Sequence, residues 1–177
     1  DAILLRSFKM HDMKLPENLL AIGRAGAGVN NIPVDKCMEK GIVVFNSPGA
    51  NANAVKELVL AGLLLSSRDI FAAMNYAQSI KNKGDDVPSL VEKNKSKFAG
   101  CEISGKTLGV IGLGKIGVMV ANAAQELGMK VIGHDPFISV ESAWGLSKNV
   151  QRASGMESLL SKCDYLSLHA PLNDATK

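Results

Sequence analysis

Residues 106–117 read Lys-Thr-Leu-Gly-Val-Ile-Gly-Leu-Gly-Lys-Ile-Gly, and residues 131–136 read Val-Ile-Gly-His-Asp-Pro. A short apolar run of strand length, residues 107–111, leads into three glycines at G-x-G-x-x-G spacing. Apolar residues then recur at helical spacing over residues 116–127. Gly128 ends this predicted helix, and a second strand over residues 130–133 is followed by Asp135. This order of strand, turn, helix, strand and acid is typical of a dinucleotide-binding unit.

The residue types in the turn fit that chemistry. Gly112 permits a tight turn, Gly114 lets the backbone approach a pyrophosphate, and Gly117 lets the helix lie close to the strand. Free N–H groups at the helix start, near Lys115 and Ile116, favour a bound phosphate. We therefore predict that these five residues bind the cofactor.

The acid beyond the second strand predicts which dinucleotide binds. Asp135 would accept hydrogen bonds from both hydroxyls of the adenosine ribose, and its charge would repel a 2′-phosphate. Pro136 and Phe137, which follow it, offer no arginine to accommodate that phosphate. The expected cofactor is therefore NAD rather than NADP.

Composition limits the class of protein. The 177 residues are 46% hydrophobic and 21% charged, which suits one globular domain or two small ones. The net charge of +3 is too small to indicate a nucleic-acid partner. No apolar run approaches the roughly 18 residues of a membrane span. Cys37, Cys101 and Cys163 show no C-x-x-C spacing, so we expect buried thiols in a reducing, cytoplasmic compartment and no metal site.

The first 52 residues alternate short strands with loops. Strands are predicted over residues 2–5, 19–22 and 42–45, and a helix over residues 34–40. Arg6 and Ser7 follow the first strand, where a guanidinium and a hydroxyl can hold an anion. Taken alone, however, they are more simply interpreted as a solvated Arg and a turn Ser.

The loop after the second strand is rich in glycine. Residues 23–28 read Gly-Arg-Ala-Gly-Ala-Gly, which places the glycines in the wrong order for a dinucleotide motif. Exposed amides in such a loop could nevertheless cradle an anion such as a carboxylate.

A long helix is predicted to join two blocks of structure. It covers residues 54–80, with Asn51 or Asn53 as its cap, and residues 58–65 are apolar on every side, which predicts burial. The elements predicted outside the dinucleotide unit are a lysine-rich loop with a short helix over 81–97, an irregular stretch around Trp144, a strand over 149–152, a helix over 156–162 and a strand over 164–169. The predicted class is α/β, with two blocks of parallel strands joined by a long buried helix.

The three histidines are His11, His134 and His169. His11 lies in a polar loop and is expected to be solvated, and His134 is expected to point away from Asp135. His169 ends a strand, where doubly wound sheets place ligands. A catalytic base formed by His169 with Asp164 or Asp174 is a weaker alternative.

Several segments together resemble the NAD-dependent D-2-hydroxyacid dehydrogenases, and within that family the members that act on 3-phosphoglycerate. The resemblance covers essentially the whole chain apart from residues 81–97. The segments that carry it are Arg6-Ser7, Gly-Arg-Ala-Gly-Ala-Gly-Val-Asn-Asn (23–31), Gly-Ile-Val-Val-Phe-Asn-Ser-Pro (41–48), Glu57-Leu58, the glycine-rich turn (105–117) and Gly-His-Asp-Pro (133–136).

The resemblance implies two Rossmann-like domains with the active site between them, a small-molecule substrate and a homodimer or higher homo-oligomer formed through the cofactor domain. The implied division is part of the substrate domain over residues 1–52, a connecting helix over 53–82, a loop or arm over 83–103, and the first part of the NAD-binding domain over 104–177. The implied roles are contact with the substrate carboxylate for Gly26, Ala27 and Gly28, proximity to its phosphate for Arg6, Ser7 and Asn51, and lining of the adenine pocket for His169, Ala170 and Pro171.

The sequence also departs from the family pattern. The catalytic Arg, Glu and His of the family belong to segments beyond this sequence, so no catalytic residue is assigned here. The first strands of the substrate domain are missing as well. The chain is therefore expected to be a fragment with both domains incomplete and no activity alone. Ala27 stands where many relatives carry a Thr hydroxyl.

Two alternatives remain open. One is another D-2-hydroxyacid dehydrogenase, whose substrate lacks a phosphate. The other is a nicotinamide-sensing binding protein similar to a transcriptional corepressor, which would not need the phosphate site suggested by Arg6, Ser7 and Asn51.

Overall fold

The structure is a computed structural model that describes residues 1–172 and 176. The chain divides into two compact units, Asp1–Asn53 and Ala54–Lys177. Each unit contains its own sheet, and all of the strand pairs in the described residues are parallel. The predicted α/β class with parallel sheets is confirmed.

The first unit is a three-stranded sheet with one helix. Its elements are β1 (Ala2–Leu5), β2 (Ala21–Arg24), α1 (Val34–Glu39) and β3 (Val43–Asn46), with β2 in the centre of the sheet. Strand β2 begins two residues later than predicted, because its pairing with β1 starts at Ala21, opposite Ala2. Leu19 instead packs into the core.

One face of this sheet is covered and the other is open. The buried side chains beneath the covered face are Met10, Leu15, Leu19, Ile22, Ile32, Cys37 and Ile42. On the strands, Leu4 is 88% exposed and Phe45 is 59% exposed. The alternation of side chains along each strand therefore places the core of this unit on one side of its sheet.

The helical segment is not one long buried helix, so that prediction is wrong. It consists of α2 (Ala52–Ser67) and α3 (Ile70–Ile80). The hydroxyls of Ser66 and Ser67 both donate to the carbonyl of Leu63, and such bonds compete with the helix ladder. Leu63 is buried, whereas Leu58 is 74% exposed, so α2 buries one face only.

The lysine-rich segment is more helical than predicted. Helix α4 (Val87–Asn94) lies between 3₁₀ turns at Gly84–Asp86 and Lys95–Phe98. The hydroxyl of Tyr76 on α3 donates to the carbonyl of Leu90 at 3.0 Å, and the rings of Tyr76 and Phe98 lie 5.4 Å apart. These contacts hold the segment against α3.

The second unit contains the glycine-rich turn in a four-stranded sheet. The remaining elements are β4 (Thr107–Ile111), α5 (Lys115–Glu126), β5 (Lys130–His134), α6 (Val140–Gly145), β6 (Gln151–Arg152), α7 (Met156–Leu160) and β7 (Tyr165–Leu168). The strand order is β6-β5-β4-β7, which puts the strand before the turn inside the sheet. The predicted bounds of β4, α5 and β5 agree with the structure to within one residue.

Two local predictions in the second unit need correction. The stretch around Trp144 is helix α6 rather than irregular chain, because Ser139 caps it by accepting the N–H of Ser142 at 3.1 Å. The expectation of buried thiols holds for Cys37 only, since Cys101 is exposed and Cys163 is partly exposed. None of the helices in the described part of the chain combines the length and apolarity needed to cross a membrane.

Candidate functional site

Two glycines of the turn are required by the packing of the protein itself. Gly112 leaves β4 with φ of +84°, and its N–H donates to the carbonyl of His134 at the end of β5. A Cβ at Gly112 would come within 2.8 Å of the backbone nitrogen of Ala170, beyond β7. A Cβ at Gly117 would overlap the carbonyl oxygen of Gly112. The turn therefore packs closely between the ends of β5 and β7.

The middle glycine is different, because among the described residues, apart from its two chain neighbours, no atom lies within 4 Å of the place where its Cβ would be. Gly114 is exposed and precedes α5, and the N–H of Val118 donates to its carbonyl. The amides of Lys115 and Ile116 come earlier in the helix and have no intrahelical acceptor. Open space beside free amides fits a pyrophosphate, so the residues present here suit a bound dinucleotide.

The carboxylate of Asp135 is fixed against the same turn. Its Oδ2 accepts the N–H of Leu113 at 2.7 Å, and its Oδ1 accepts the N–H of Phe137 at 2.8 Å. A carboxylate has about four lone-pair sites, so each oxygen can still accept a ribose hydroxyl. The backbone contacts hold the acid at the end of β5, where the sequence predicted it would bind the ribose.

The segment after β7 lies on the other side of the turn. The N–H of His169 donates to the carbonyl of Ile111 at 2.7 Å, and the hydroxyl of Ser167 lies 2.8 Å from its Nε2. Burial lowers the pKa of His169, which favours the neutral imidazole. The structure thus brings His169 and Ala170 against Gly112, and Pro171 follows them on the exposed side.

The weaker alternative of a His–Asp base gains no support from these positions. Asp164 lies at the opposite end of β7 from His169, where its carboxylate accepts the N–H of Thr107 at 2.8 Å. Asp174 lies outside the described residues. His11 is exposed, and its Nε2 lies 2.9 Å from the carbonyl of Asn30.

In the first unit, the loops that follow the three strands interlock at one edge of the sheet. The N–H of Gly26 donates to the hydroxyl of Ser47 at 2.8 Å, and the N–H of Ser47 donates back to the carbonyl of Gly26 at 3.1 Å. The amide of Asn46 donates to the carbonyl of Ala27 at 2.7 Å. The loop over residues 26–28 is therefore fixed from the end of β3.

The same edge carries Arg6 and Ser7, two of the other predicted substrate residues. The N–H of Ala25 donates to the carbonyl of Leu5, so the loop after β2 also lies against the end of β1, where exposed Arg6 and Ser7 follow. Parallel sheets bind ligands outside the carboxyl ends of their strands. Asn51 is further along the chain, immediately before α2, and the contacts described here do not involve it.

Sequence reasoning missed Arg24, the last residue of β2. Its Nε donates to the carbonyl of Arg6 at 3.2 Å. Its Nη1 lies 2.7 Å from the position of a Cβ on Gly26 and 3.6 Å from that on Gly28. The guanidinium therefore lies over the predicted carboxylate loop. The available signal was a cation at a strand end, directly before the glycine-rich loop.

Comparison with known proteins agrees with this geometry. Residues 61–177 match the family described as D-isomer specific 2-hydroxyacid dehydrogenase, NAD binding domain. The chain is 40% identical over 161 residues to D-3-phosphoglycerate dehydrogenase of Methanocaldococcus jannaschii, covering 91% of this chain and 28% of that protein. It is 37% identical to (S)-sulfolactate dehydrogenase of Chromohalobacter salexigens, covering 90% of this chain and 48% of that protein.

A solved structure supports the same assignment. The NAD⁺-bound 3-phosphoglycerate dehydrogenase of Entamoeba histolytica is 30% identical, with a TM-score of 0.68 over all of this chain and 48% of that one. The chain thus spans about half or less of the length of these relatives. It belongs to the D-isomer specific 2-hydroxyacid dehydrogenases, and its second unit carries their NAD-binding domain.

Proposed function

We propose that the protein containing this chain oxidises 3-phosphoglycerate to 3-phosphohydroxypyruvate, with NAD as the hydride acceptor. The observation that carries the proposal is that two arginines, Arg6 and Arg24, meet at the carboxyl edge of the first sheet. The side chain of Arg24 donates to the backbone carbonyl of Arg6. When bound, NAD accepts the hydride. The residues of this chain bind and orient the two molecules.

The substrate has two anionic ends, and the edge of the sheet offers a separate set of donors for each. Arg6 supplies a planar fork suited to phosphate oxygens, and Ser7 adds a hydroxyl next to it. Arg24 and the loop over residues 26–28, through the amides of Ala27 and Gly28, suit the carboxylate, because the Arg24 guanidinium already lies over that loop. We assign Asn51 to the phosphate end on the strength of the family resemblance.

On the cofactor side, we propose a division of labour within the second unit. The turn binds the pyrophosphate through Gly112, Gly114, Lys115, Ile116 and Gly117. Asp135 binds the adenosine ribose. The adenine lies against His169, Ala170 and Pro171. In domain terms, residues 1–52 belong to the substrate domain, 53–82 connect, 83–103 form an arm and 104–177 belong to the cofactor domain.

We further propose that the 177-residue chain alone does not turn over substrate. Oxidation of a hydroxyl needs a general base and a cation that polarises the forming carbonyl. The family resemblance assigns these two roles to none of His11, His134 and His169, whereas the glycine-rich turn and Asp135 are available to bind NAD. Purified 177-residue protein should therefore bind NAD but show no NADH formation, and measurable turnover would contradict this proposal.

The proposed context is the first step of serine synthesis in the cytoplasm. The proposed assembly is a homodimer formed through the cofactor unit, which exposes large apolar side chains on α2 and α3, among them Leu58, Phe71 and Met74. Light scattering on the natural protein would test the assembly. A monomer at micromolar concentration would contradict it.

The substrate is tested by kinetics on the natural full-length protein. Arg6→Ala should raise the KM for 3-phosphoglycerate by about ten-fold or more, because a hydrogen bond to a charged group contributes roughly 1.5–3 kcal/mol. The KM for NAD should stay nearly constant. Lys9→Ala is the matched control, since it removes a positive charge from the same exposed loop and should leave both constants unchanged.

Three outcomes would reassign the function. Equal effects of Arg6→Ala and Lys9→Ala would show that Arg6 acts only as a surface charge. A wild-type preference for a substrate without phosphate, such as sulfolactate or D-lactate, would point to another dehydrogenase of the family. An absence of turnover with every 2-hydroxyacid, despite tight NAD binding, would favour a nicotinamide-sensing binding protein.

A further inference from the structure

We propose that Asn31 is a positioning residue of the substrate site, whose side-chain amide fixes the loop that presents Arg6 and Ser7. Through that loop it sets the affinity for the substrate phosphate. The proposal rests on the proposed function, because it takes Arg6 as the group that binds the phosphate. Asn31 acts without touching the substrate.

Asn31 contacts alternate residues along the loop that follows β1. Its Nδ2 donates to the carbonyl of Phe8 at 2.8 Å and to the carbonyl of Arg6 at 3.3 Å. Its own carbonyl accepts the N–H of Met10 at 2.9 Å. A side-chain amide has two N–H donors, and here each of them meets a different carbonyl of the same loop. The loop is thus held at three points by one residue.

The carbonyl of Arg6 is held from a second direction as well. It also accepts the Nε–H of Arg24 at 3.2 Å, so both of its lone pairs are occupied. The main chain at Arg6 is therefore fixed while its side chain stays exposed. Fixing the start of a long, flexible side chain reduces the entropy that is lost when the guanidinium binds an anion.

The surroundings of the Asn31 side chain indicate that it does more than fill space in the core. Asn31 is only 7% exposed, although residues 6–9 are exposed. Its Oδ1 is buried and has no hydrogen-bond partner in the described residues. A buried acceptor without a donor is destabilising, so packing alone would favour an apolar side chain of similar size. The two carbonyls that the amide holds are what account for a polar residue here.

The test uses Asn31→Leu in the natural full-length protein. This change keeps the branched shape of the side chain, although Leu is larger than Asn, and removes both donors. It should raise the KM for 3-phosphoglycerate about five- to ten-fold, the effect of about one hydrogen bond, with kcat and the KM for NAD within about two-fold of wild type. Asn31→Asp should raise that KM at least as far, because it turns a carboxylate towards two carbonyl oxygens.

A double-mutant cycle shows whether Asn31 acts through Arg6. In an Arg6→Ala background, Asn31→Leu should change the KM by less than about two-fold, since the guanidinium that it positions is already gone. Asn122→Leu is the matched control, because Asn122 also makes two side-chain hydrogen bonds, to Gly145 and Ser147 in the other unit. It should lower the Tm without changing the KM for 3-phosphoglycerate.

The outcomes separate this proposal from the function on which it rests. If Arg6→Ala raises the KM but Asn31→Leu does not, or if the two effects multiply, the positioning role is wrong and the phosphate site stands. If Arg6→Ala leaves the KM unchanged, both proposals fall. Should Asn31→Leu fail to fold, Asn31→Ser removes the same donors without added bulk, and an unchanged KM in that variant would overturn the proposal.

Discussion

Adding one methyl group to the glycine-rich turn should affect NAD binding at one position and the stability of the fold at another. At Gly114 the new Cβ meets no atom of the other described residues within 4 Å, apart from the two chain neighbours. The backbone there, with φ of −74° and ψ of −168°, is ordinary for alanine. Replacing Gly by Ala at a compatible position stabilises by about 0.4–1 kcal/mol, and losing a favoured N-cap residue offsets a few tenths. Gly114→Ala should therefore fold with nearly unchanged stability.

The effect of that methyl should appear instead in NAD binding, because the open space beside Gly114 is where we place the pyrophosphate. Losing one hydrogen bond to a charged group, at roughly 1.5–3 kcal/mol, corresponds to a Kd about 10- to 100-fold higher. At Gly117 the methyl would overlap the carbonyl oxygen of Gly112, so Gly117→Ala should destabilise the fold by about 1–3 kcal/mol or more.

Titration calorimetry with NAD and thermal unfolding measure the two effects separately. For Gly117→Ala the Tm should fall by about 2–4 °C per kcal/mol. Wild-type NAD affinity in Gly114→Ala would refute the placement of the pyrophosphate. A wild-type Tm in Gly117→Ala would refute the close packing of α5 on the turn.

Three further predictions concern single side chains. The wild-type protein should bind NAD about 10- to 100-fold more tightly than NADP, and Asp135→Ser should narrow that difference in affinity. Equal affinity of the wild-type protein for the two cofactors would contradict the role of the carboxylate. Burial lowers the pKa of His169 in the folded protein, so the unfolded chain takes up a proton at a higher pH than the folded chain does. The stability that is present above pH 6.5 should therefore be lost as the pH falls through the lower folded-state pKa. His169→Gln should flatten that part of the curve of Tm against pH, and an unchanged slope would show that other groups cause it. Cys101 is exposed and should react rapidly with a thiol reagent, whereas Cys37, whose pKa is raised by burial, should react only on unfolding. Mass spectrometry of the labelled peptides measures the order of reaction, and faster labelling of Cys37 would contradict this prediction.

The cofactor half of the fold could be predicted because its signals are local. The strand, the glycines and the helix period of residues 107–127 each specify the same backbone, so β4, α5 and β5 lie where the sequence placed them. Gly128, with φ of +81°, ends α5 as expected. The cap of α6 at Ser139 was also a local signal, and recognising it would have predicted that helix.

The helical segment shows what local signals leave out. Apolar residues over 58–65 predicted burial on all sides, but burial depends on which other elements cover the helix. The break after Ser67 likewise depends on a distant contact, because the carbonyl of Ser67 accepts the N–H of Cys101. Neither fact is encoded in the helix period.

The substrate side shows the same limit at the level of side chains. The sequence placed Arg6 and the loop over residues 26–28 at strand ends, and strand order then brought them to one edge of the sheet. The side chains of Arg24 and Asn31 both contact carbonyls of the loop that follows β1. These contacts depend on how β1 pairs with β2, which residue types alone do not specify.

The most direct test of the central claim is a crystal structure of the protein with NAD bound. We predict pyrophosphate oxygens within about 3 Å of the amides of Lys115 and Ile116, beside Gly114. We also predict the adenosine ribose hydroxyls within about 3 Å of the Asp135 carboxylate. A dinucleotide bound away from the turn, or a ribose that makes no contact with Asp135, would contradict the account.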